Sequence, residues 1–288
     1  MTFTAGAHST RTMSPRPRSW ARASPLGVDA WLFEREPPPD LAEQLSCTWR
    51  GDADEAWTLL PDECVDMYWV NGSVWLSGPE TRSRSSAAAA GTDEVGVRFR
   101  PGMAPSLLGV AASELRDQRV RLDQVWGDRA ARELTERVSC RDDDEGRAVE
   151  LENAVRQMAV APWRPDAVAL EVAGRMDQAR TISAWELARA TQLSERQLQR
   201  RCSIAFGYGP AFLLRINRVQ RFLQLARDES RGPSLAGLAV AAGYADQSHL
   251  TREVGSIMGT TPAQLVRKSP ECPIGSRLSA APGGTLLV

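Results

Sequence analysis

One helix-turn-helix pattern occurs twice between residues 181 and 268, and this duplication constrains the fold more than any other feature of the chain. The first copy contains, in order, Trp185-Glu-Leu-Ala188, Gln192-Leu-Ser194 and Leu198-Gln-Arg200. The second contains Leu238-Ala239, Gly243-Tyr244 and Leu250-Thr-Arg252. Each copy predicts a supporting helix, a tight turn and a second helix, an arrangement that places an α-helix in the major groove of DNA.

A long helix is predicted between the two copies. Pro210 suits the first position of a helix, and the helical pattern continues without interruption to about Arg227. Its apolar stripe consists of Phe212, Ile216, Val219, Leu223 and Ala226. The arginines that fall off this stripe are Arg215, Arg218 and Arg221. Such a helix spans roughly 27 Å, so it can hold two recognition helices about one DNA turn apart, roughly 34 Å, along one face.

The second copy carries a further set of residues in a fixed order. It reads Leu238-Ala239-Val-Ala-Ala-Gly243-Tyr244-Ala-Asp246-Gln247-Ser248-His249-Leu250-Thr-Arg252, followed by Gly259-Thr-Thr-Pro262. In order and spacing this stretch, with residues 166–268 around it, resembles the DNA-binding domain of AraC/XylS-type transcription regulators. The motif in that family typically reads I-A-x-x-x-G-F-x-D-x-S-x-F-x-R and closes with G-x-T-P. The resemblance implies an all-α domain with two helix-turn-helix motifs.

Several residues depart from the family pattern. Gln192 stands where the first turn usually has Gly, so a left-handed backbone there costs about 1 kcal/mol more than with Gly. Two usually aromatic positions are Cys202 and Val254. The usual basic residues that follow are replaced by Ser203 and by Gly255-Ser256. These changes predict weaker DNA affinity, above all in the second motif, and leave the fold unchanged.

The resemblance assigns base reading to three positions in each motif. They are Arg196, Gln199 and Arg200 in the first motif and Gln247, His249 and Arg252 in the second. The chemistry agrees, because Arg can form two hydrogen bonds to guanine and Gln two to adenine. For His249, a solvated or phosphate-touching side chain remains an alternative to base reading. Arg201 and Arg218 are better candidates for phosphate contacts or ion pairs within the domain.

Charge is distributed unevenly along the chain. Residues 181–268 contain eleven Arg and one Lys against six acidic residues, a balance of +6, whereas residues 1–180 contain 22 basic and 29 acidic residues, a balance of −7. The basic half therefore has a reason to approach a polyanion, and the acidic half does not. We expect the acidic half to regulate DNA binding without touching DNA.

The ends of the chain, the cysteines and the histidines exclude several classes. No run of eighteen apolar residues predicts a membrane span, and the Ser/Pro/Arg-rich start lacks a signal peptide. We expect disordered segments at 1–26 and 269–288 and a cytoplasmic protein with free thiols. The cysteines are Cys47, Cys64, Cys140, Cys202 and Cys272. Their spacing fits no zinc site, and the front domain has no usable His, so we predict no metal site, no cofactor and no catalytic residue.

The front domain, residues 27–140, is predicted to be rich in β-structure. Residues 65–70 and 73–76 flank Asn71-Gly72, a strong hairpin signal, and residues 96–99 form another strand. Helical patterns follow at Leu107-Leu108, at 128–138 and at 147–158. The run Asp142-Asp-Asp-Glu145 predicts a solvated loop that starts a helix. We assign residues 141–165 to this acidic loop and a connecting helix.

Three segments of the front domain carry a second, less specific resemblance. They are residues 60–66, 96–102 and 115–122, which look like the uncharacterised sensor domain of some actinobacterial AraC-like regulators. That resemblance implies a barrel-like domain that binds an effector or pairs subunits. Aromatic residues surround the hairpin at Trp57, Tyr68, Trp69 and Trp75, where core packing is the simpler reading and a ligand pocket the alternative.

Asp62, Asp66 and Arg98 form the conspicuous polar set of these strands. A turn carboxylate with an ion pair is the simpler interpretation, and a polar anchor for an effector is the alternative. Glu63 and Asp66 could form a general acid/base pair on paper, yet no nucleophile, metal site or phosphate loop accompanies them.

The sequence thus predicts an α+β protein, with a β-rich, barrel-like N-terminal domain that includes helices and an all-α domain at 166–268 in which a long helix joins two helix-turn-helix motifs. The predicted function is sequence-specific transcription regulation of AraC type, not an enzyme. Expected partners are double-stranded DNA, with RNA polymerase, a small-molecule effector and a second copy of the chain left open, and no membrane. Two alternatives remain: an adaptor that binds protein instead of DNA, and a DNA-repair protein with a reactive cysteine.

Overall fold

The structure is a computed structural model that describes residues 20–23, 32–51, 58–85, 93–160, 164–178, 181–227 and 234–267. The predicted disordered tail, 269–288, and most of the predicted disordered arm, 1–26, lie outside these residues. Within the arm, Ala21–Ala23 form a strand that pairs with Leu32–Arg35, so this part of the arm joins the sheet.

The front half of the chain is built on an antiparallel sheet. The described strands are β1 (Ala21–Ala23), β2 (Leu32–Arg35), β3 (Leu45–Gly51), β4 (Thr58–Leu59), β5 (Asp66–Val70), β6 (Ser73–Ser77), β7 (Arg84–Ser85), β8 (Glu94–Phe99) and β9 (Arg119–Arg121). Seven of them form one sheet in the order β1-β2-β3-β8-β5-β6-β9, and β4 pairs with β7 in a separate ribbon. All of the described pairings are antiparallel.

The hairpin between β5 and β6 confirms the prediction made from Asn71-Gly72. Asn71 has φ +48° and Gly72 has φ +74°, the left-handed backbone that a two-residue hairpin turn requires at both positions. The turn fixes the register, so that Val70 lies opposite Ser73 and Tyr68 lies opposite Trp75. Because side chains alternate along a strand, this register decides which of them face the helices.

Helices cover one face of the sheet. They are α1 (Ala104–Leu108), α2 (Ala112–Leu115), α3 (Asp123–Trp126), α4 (Asp128–Ser139) and α5 (Asp144–Met158), with a short 3-10 helix at Pro39–Leu41. Val97 from β8 shares one buried core with Val138 from α4 and with Leu151 from α5. The helix predicted to connect the two halves, α5, therefore packs into the core of the front domain.

A buried charge cluster fixes α5 to the sheet. Glu152 of α5 is 1% exposed; its Oε1 accepts a hydrogen bond from Thr48 Oγ1 at 2.7 Å and lies 2.9 Å from Arg35 Nη2. The start of the helix is set by Asp143, whose Oδ1 accepts a hydrogen bond from the Gly146 amide at 2.7 Å. This is the helix start that the acidic run 142–145 predicts.

The other face of the sheet is aromatic. The rings of Trp49 and Tyr68 lie 5.9 Å apart between centroids, and both side chains are buried. Gly96 lies between them: a Cβ at this position would stand 2.5 Å from the Trp49 ring and 2.8 Å from Tyr68 Cβ. Only glycine therefore lets both aromatic side chains cover β8, and the aromatic residues here pack with each other.

The second half of the chain is helical. Its helices are α6 (Ala167–Gln178), α7 (Ala184–Ala190), α8 (Glu195–Phe206), α9 (Pro210–Arg227), α10 (Leu235–Ala242), α11 (Gln247–Met258) and α12 (Pro262–Arg267). The fold class predicted from the sequence, α+β with a helical C-terminal domain, is confirmed. Helix α9 begins and ends where Pro210 and Arg227 predict.

Two separate hydrophobic cores lie along opposite halves of α9. The first half contributes Leu213 and Ile216 to the core of the first helix-turn-helix module, and the second half contributes Phe222 and Leu223 to the core of the second. The predicted stripe is correct at Ile216, Val219 and Leu223. The predicted stripe is narrower than the buried surface of α9, because Leu213, Leu214 and Phe222 are buried as well. A helix with neighbours on several sides buries more than one stripe.

Candidate DNA interface

Helices α7 and α8 form the first helix-turn-helix. The Ser183 hydroxyl caps α7, and the Ser194 hydroxyl caps α8 by accepting a hydrogen bond from the Gln197 amide. In both caps the third helical residue, Glu186 or Gln197, accepts a hydrogen bond from the cap residue's own amide. These reciprocal bonds satisfy amides that a helix start leaves without partners, so the start of α8 is sharply defined.

The turn between these helices is strained at one residue. Gln192 has φ +55°, the left-handed backbone that was predicted at this position. Its amide donates to the Arg189 carbonyl at 3.2 Å, and the Leu193 amide donates to the Ala188 carbonyl at 3.0 Å. The closed turn is therefore retained without glycine, at a cost of about 1 kcal/mol.

Helices α10 and α11 repeat this geometry in the second module. Gly243 supplies the left-handed turn with φ +92°, and its amide and that of Tyr244 close the end of α10. Asp246 caps α11: its Oδ1 accepts a hydrogen bond from the His249 amide at 2.7 Å. The two turns thus differ in residue type, glycine in one and glutamine in the other, while the backbone conformation is left-handed in both.

On α8 the three predicted base-reading residues are exposed. Arg196, Gln199 and Arg200 lie opposite a buried stripe that includes Leu198 and Cys202. Among the residues that the structure describes, Arg196 and Arg200 have no ion-pair or hydrogen-bond partner. The Gln199 amide lies against the chain at Gly209, where a Cβ would stand 2.2 Å from its Nε2. Gln199 therefore has a different local environment from the two free arginines.

On α11 the three predicted residues fall into two groups. Gln247 and Arg252 are exposed, and within the described part of the chain Arg252 has no ion-pair partner. His249 is half-buried: its ring meets that of Tyr244 edge-on at 5.2 Å, and its Nε2 lies 4.0 Å from Glu253 Oε2. The imidazole is thus engaged inside the module, a placement that the sequence does not predict.

Glu253 is the residue of this surface that sequence reasoning missed. It is 7% exposed, and its carboxylate accepts hydrogen bonds from Arg215 Nε at 3.1 Å and from Arg218 Nη2 at 3.0 Å. These bonds attach α11 to α9. Arg215 and Arg218, three residues apart on the exposed side of α9, were a signal for such an acid. Arg215 Nη2 also reaches Ser256 Oγ at 3.5 Å, which brings a guanidinium to one of the positions where the family usually has a basic residue.

The two arginines predicted to form phosphate contacts or ion pairs both form ion pairs. Arg218 pairs with Glu253, and Arg201 Nη1 lies 2.6 Å from Asp166 Oδ2. Asp166 also accepts a hydrogen bond from the Val168 amide at 2.9 Å, at the start of α6. Arg201 therefore holds α8 to α6.

The departures from the family pattern keep the modules packed. Cys202 and Val254, at the usually aromatic positions, are 1% and 0% exposed. Burial raises the pKa of the Cys202 thiol to about 12, so this cysteine is a core residue and not a thiolate. The smaller side chains therefore change the volume of the cores without opening them to solvent.

The polar set of the front domain is an ion-pair cluster. Arg98 Nε lies 2.9 Å from Asp66 Oδ1 and Arg98 Nη2 lies 3.0 Å from Asp66 Oδ2, which is a bidentate pair, and Arg98 Nη1 lies 3.2 Å from Asp62 Oδ2. Glu63 beside it has φ +62°, and burial raises its pKa to about 8. Burial also raises the pKa of the nearby Cys47 and Cys64 thiols well above the usual range. These thiols are poor nucleophiles.

The residues that the structure describes include neither a metal-binding cluster nor a helix that could span a membrane. No group of three or more His, Cys, Asp or Glu side chains there is arranged to hold a metal ion. Across the same part of the chain, none of the helices is long and apolar enough to cross a membrane.

Two parts of the chain match known domain families. Residues 187–268 match a family described as a helix-turn-helix domain, and residues 33–121 match a domain of unknown function, DUF6597. Among curated proteins, no sequence matches this chain significantly. The first match spans α8 through α11, the elements that carry every predicted base-reading residue.

Solved structures of ToxT from Vibrio cholerae are similar to this chain at low identity. An apo ToxT variant is 12% identical, covers 77% of this chain and 97% of its own, and gives a TM-score of 0.43. A second ToxT structure has the same identity and coverage with a TM-score of 0.41. ToxT bound to an unsaturated fatty acid is 12% identical, covers 76% of this chain and 93% of its own, and gives 0.39. These values are too low to transfer a ligand or a site.

The sequence motifs, the two capped recognition helices and the family matches agree. The chain therefore combines an N-terminal DUF6597 domain with a C-terminal helix-turn-helix domain of the AraC type, the DNA-binding domain of AraC-family transcription regulators.

Proposed function

We propose that this regulator reads two segments of one DNA face with α8 and α11. The observation that carries the proposal is the pair of exposed arginines on α8, Arg196 and Arg200, which have no partner among the described residues. Three other arginines of the helical domain are held in ion pairs: Arg201 by Asp166, and Arg215 and Arg218 by Glu253. A free guanidinium at a helix surface suits bidentate contact with guanine.

Base reading is proposed for the six residues that the sequence singles out: Arg196, Gln199, Arg200, Gln247, His249 and Arg252. We expect Arg196, Arg200 and Arg252 to contribute most, because their side chains are exposed and unpaired within the described residues. His249 is expected to contribute least, because its ring is packed against Tyr244.

Replacing Arg200 by Ala tests base reading directly. On the preferred DNA site the variant should lose about 1 to 3 kcal/mol of binding free energy and relax the preference at one or two base pairs. Fluorescence anisotropy on the selected site and on random DNA, at several salt concentrations, measures both effects. Arg129→Ala in α4 removes the same charge from an exposed side chain of the front domain and serves as the control. Equal losses on specific and random DNA would leave only a phosphate contact.

The front domain is proposed to control this binding. Its acidic balance, −7 over residues 1–180, argues against direct contact with DNA and favours a regulatory role. An effector that prefers the DNA-bound arrangement must bind more tightly when DNA is present. Calorimetric titration of candidate effectors with and without operator DNA tests this linkage.

Two outputs are consistent with this control, contact with RNA polymerase and pairing of two chains on adjacent sites. In vitro transcription tests the first, and sedimentation of the protein on DNA with one or two sites tests the second. If DNA binding by this chain depends neither on salt concentration nor on DNA sequence, that result would favour the alternative in which the chain is an adaptor that binds protein.

A further inference from the structure

A short segment of the front domain contacts both helix-turn-helix modules. Residues 79–83, which we call the strap, connect β6 to β7. The hydroxyl of Tyr208, which follows α8, donates a hydrogen bond to the Glu80 carbonyl. At the other end of the strap, the Ser83 amide donates to the Ile257 carbonyl at 2.9 Å and the Ser83 hydroxyl donates to the Met258 carbonyl at 2.8 Å. The strap thus bridges the ends of α8 and α11.

Both attachment points are the C-terminal ends of recognition helices. The last carbonyls of a helix lack partners within the helix, and Ser83 supplies donors to two of those in α11. The corresponding end of α8 is capped by Gly207, whose carbonyl accepts a hydrogen bond from Arg116 Nη1 at 3.2 Å. Pro79 packs so closely there that a Cβ on Gly207 would stand 2.5 Å from Pro79 Cγ. The front domain therefore holds the same end of each recognition helix.

The strap is itself fixed within the front domain. The Asp117 carboxylate accepts hydrogen bonds from the Thr81 amide at 2.6 Å and from the Thr81 hydroxyl at 3.0 Å. The Asp117 amide donates to the Pro79 carbonyl at 3.1 Å. Gly78, just before the strap, lies so close to Leu115 that a Cβ would stand 1.9 Å from the Leu115 carbonyl oxygen. Because the strap is held at these points, a movement of the front domain also moves the ends of α8 and α11 that the strap contacts.

The relative position of the modules needs such a constraint. Their hydrophobic cores are separate and lie on opposite halves of α9, which has 18 residues. Such a helix is roughly 27 Å long, so a bend of about 20° at its middle displaces the far end, about 13 Å away, by about 5 Å. One base-pair step of DNA is about 3.4 Å. A bend of this size in α9 is therefore enough to move one recognition helix past a base pair.

A second contact lies beside the strap and acts on the second module. Leu60 packs against the core formed by Phe222 and Leu250, and the Gln220 side-chain amide donates a hydrogen bond to the Pro61 carbonyl. Residues 60 and 61 thus attach the front domain to the second half of α9. Without such contacts, α9 alone would connect the second module to the first.

From these contacts we propose that the strap sets the distance between the two DNA-reading helices, so that the front domain selects the spacing between the two DNA segments that are read. The inference rests on the proposed function, since it requires α8 and α11 both to contact DNA. Arg196 and Arg200 lie in the first half of α8, and Gln247 begins α11, whereas the strap holds the opposite ends. The strap therefore affects the relative position of α8 and α11 and does not cover the residues proposed to contact DNA.

The test removes, from the full-length protein, the two hydroxyl hydrogen bonds that join the strap to the modules and leaves the bond from the Ser83 amide to the Ile257 carbonyl. The double variant Ser83→Ala, Tyr208→Phe deletes the two hydroxyl donors and keeps the Ser83 backbone amide position as a probe. Ser106→Ala is the matched control, because the Ser106 hydroxyl donates to the Met103 carbonyl inside the front domain. Hydrogen exchange at residue 83 without DNA reports whether the strap is attached.

Binding is then measured on duplexes in which the two half-segments of the selected site are moved apart or together by one or two base pairs. We expect the wild type and Ser106→Ala to prefer one spacing by about tenfold or more, equivalent to about 1.4 kcal/mol. In the double variant, exchange at residue 83 should accelerate and the spacing preference should fall about fivefold, while affinity for a single half-segment stays unchanged.

Faster exchange at residue 83 with an unaltered spacing preference would overturn the inference. A wild type that binds its site specifically at all spacings equally would also overturn it while leaving the proposed function intact. If residue 83 stays protected in the double variant, Ser83→Pro combined with Tyr208→Phe removes the amide donor to Ile257 as well. An unaltered spacing preference in that variant then counts against the inference. A wild type without any site-specific binding would refute the proposed function itself, and the inference with it.

Discussion

Glu253 is a buried carboxylate with two arginine partners, and its replacement by Gln tests what attaches α11 to α9. The carboxylate is 7% exposed and receives hydrogen bonds from Arg215 and Arg218, whose side chains are 34% and 27% exposed. Gln has nearly the same shape but no charge. The variant therefore leaves both guanidiniums without a counter-ion and places its own amide donors beside them.

The expected loss follows from the burial of the groups. Breaking a fully buried ion pair costs about 3 to 5 kcal/mol. Here the arginines are roughly one-third exposed, so water screens part of the charge and the expected loss is about 1 to 3 kcal/mol. Glu133→Gln in α4 is the matched control, because Glu133 is 57% exposed and its partner Arg129 is 94% exposed. The control should lose less than about 0.5 kcal/mol.

Urea unfolding at pH 7, followed by circular dichroism, measures both variants. Glu253→Gln should lower the midpoint clearly and Glu133→Gln should not. DNA binding supplies a second readout, because Arg215 and Arg218 become free to meet phosphates. Binding of Glu253→Gln to random DNA should therefore become more salt-dependent, with a slope steeper by about one to two.

Equal stability of the two variants would show that the ion pairs do not hold α11 in place. An unchanged salt slope together with lost stability would show that Arg215 and Arg218 do not reach DNA even when they are free. Either result contradicts the role that the structure gives to Glu253 on this surface.

Three further predictions concern single positions. Burial raises the pKa of Glu63 from 4.5 to about 8, so its contribution to stability is complete below pH 4.5 and is lost as the pH rises through 8. In thermal unfolding across pH 5 to 9, the stability of the wild type should therefore decline relative to that of Glu63→Gln by up to about 1.4 kcal/mol per pH unit. Parallel stability curves for the two proteins would contradict this. Gln192→Gly should raise the free energy of unfolding by about 1 kcal/mol, because φ is +55° there; a loss in urea unfolding would show that the side chain matters more than the strain. Arg252→Ala should weaken specific binding less than Arg200→Ala, since Gly255 and Ser256 leave the second motif with less charge; the reverse order in fluorescence anisotropy at fixed salt would refute it.

Local chemistry determined most of the elements of this protein. Asn71-Gly72 specified the hairpin because two left-handed residues fit its turn, and Pro210 specified the start of α9 because its ring fixes a helical φ. Ser194 and Asp246 are the caps at which α8 and α11 begin. Each of these signals acts over three or four residues, so it can be read directly from the chain.

The sequence also indicated which residues of α8 are exposed. The family motif assigned Arg196 and Arg200 to DNA reading, and the structure shows both exposed, opposite the buried Leu198 and Cys202 of α8. The prediction failed to foresee the environment of His249, whose ring meets Tyr244. That contact depends on how the turn closes over the helix, which the helical period alone does not specify.

Only the tertiary structure decided how the two halves are joined. Ser83 meets Ile257 across 174 positions of the chain, and Arg215 meets Glu253 across 38. The local sequence around Ser83 and around Arg215 does not specify which distant residue each one meets. Such contacts depend on the packing of whole elements, because any exposed Ser or Arg could make them in a different arrangement. Hydrophobic period and capping residues therefore fixed the modules, whereas the position of one module relative to the other followed from long-range packing against the front domain.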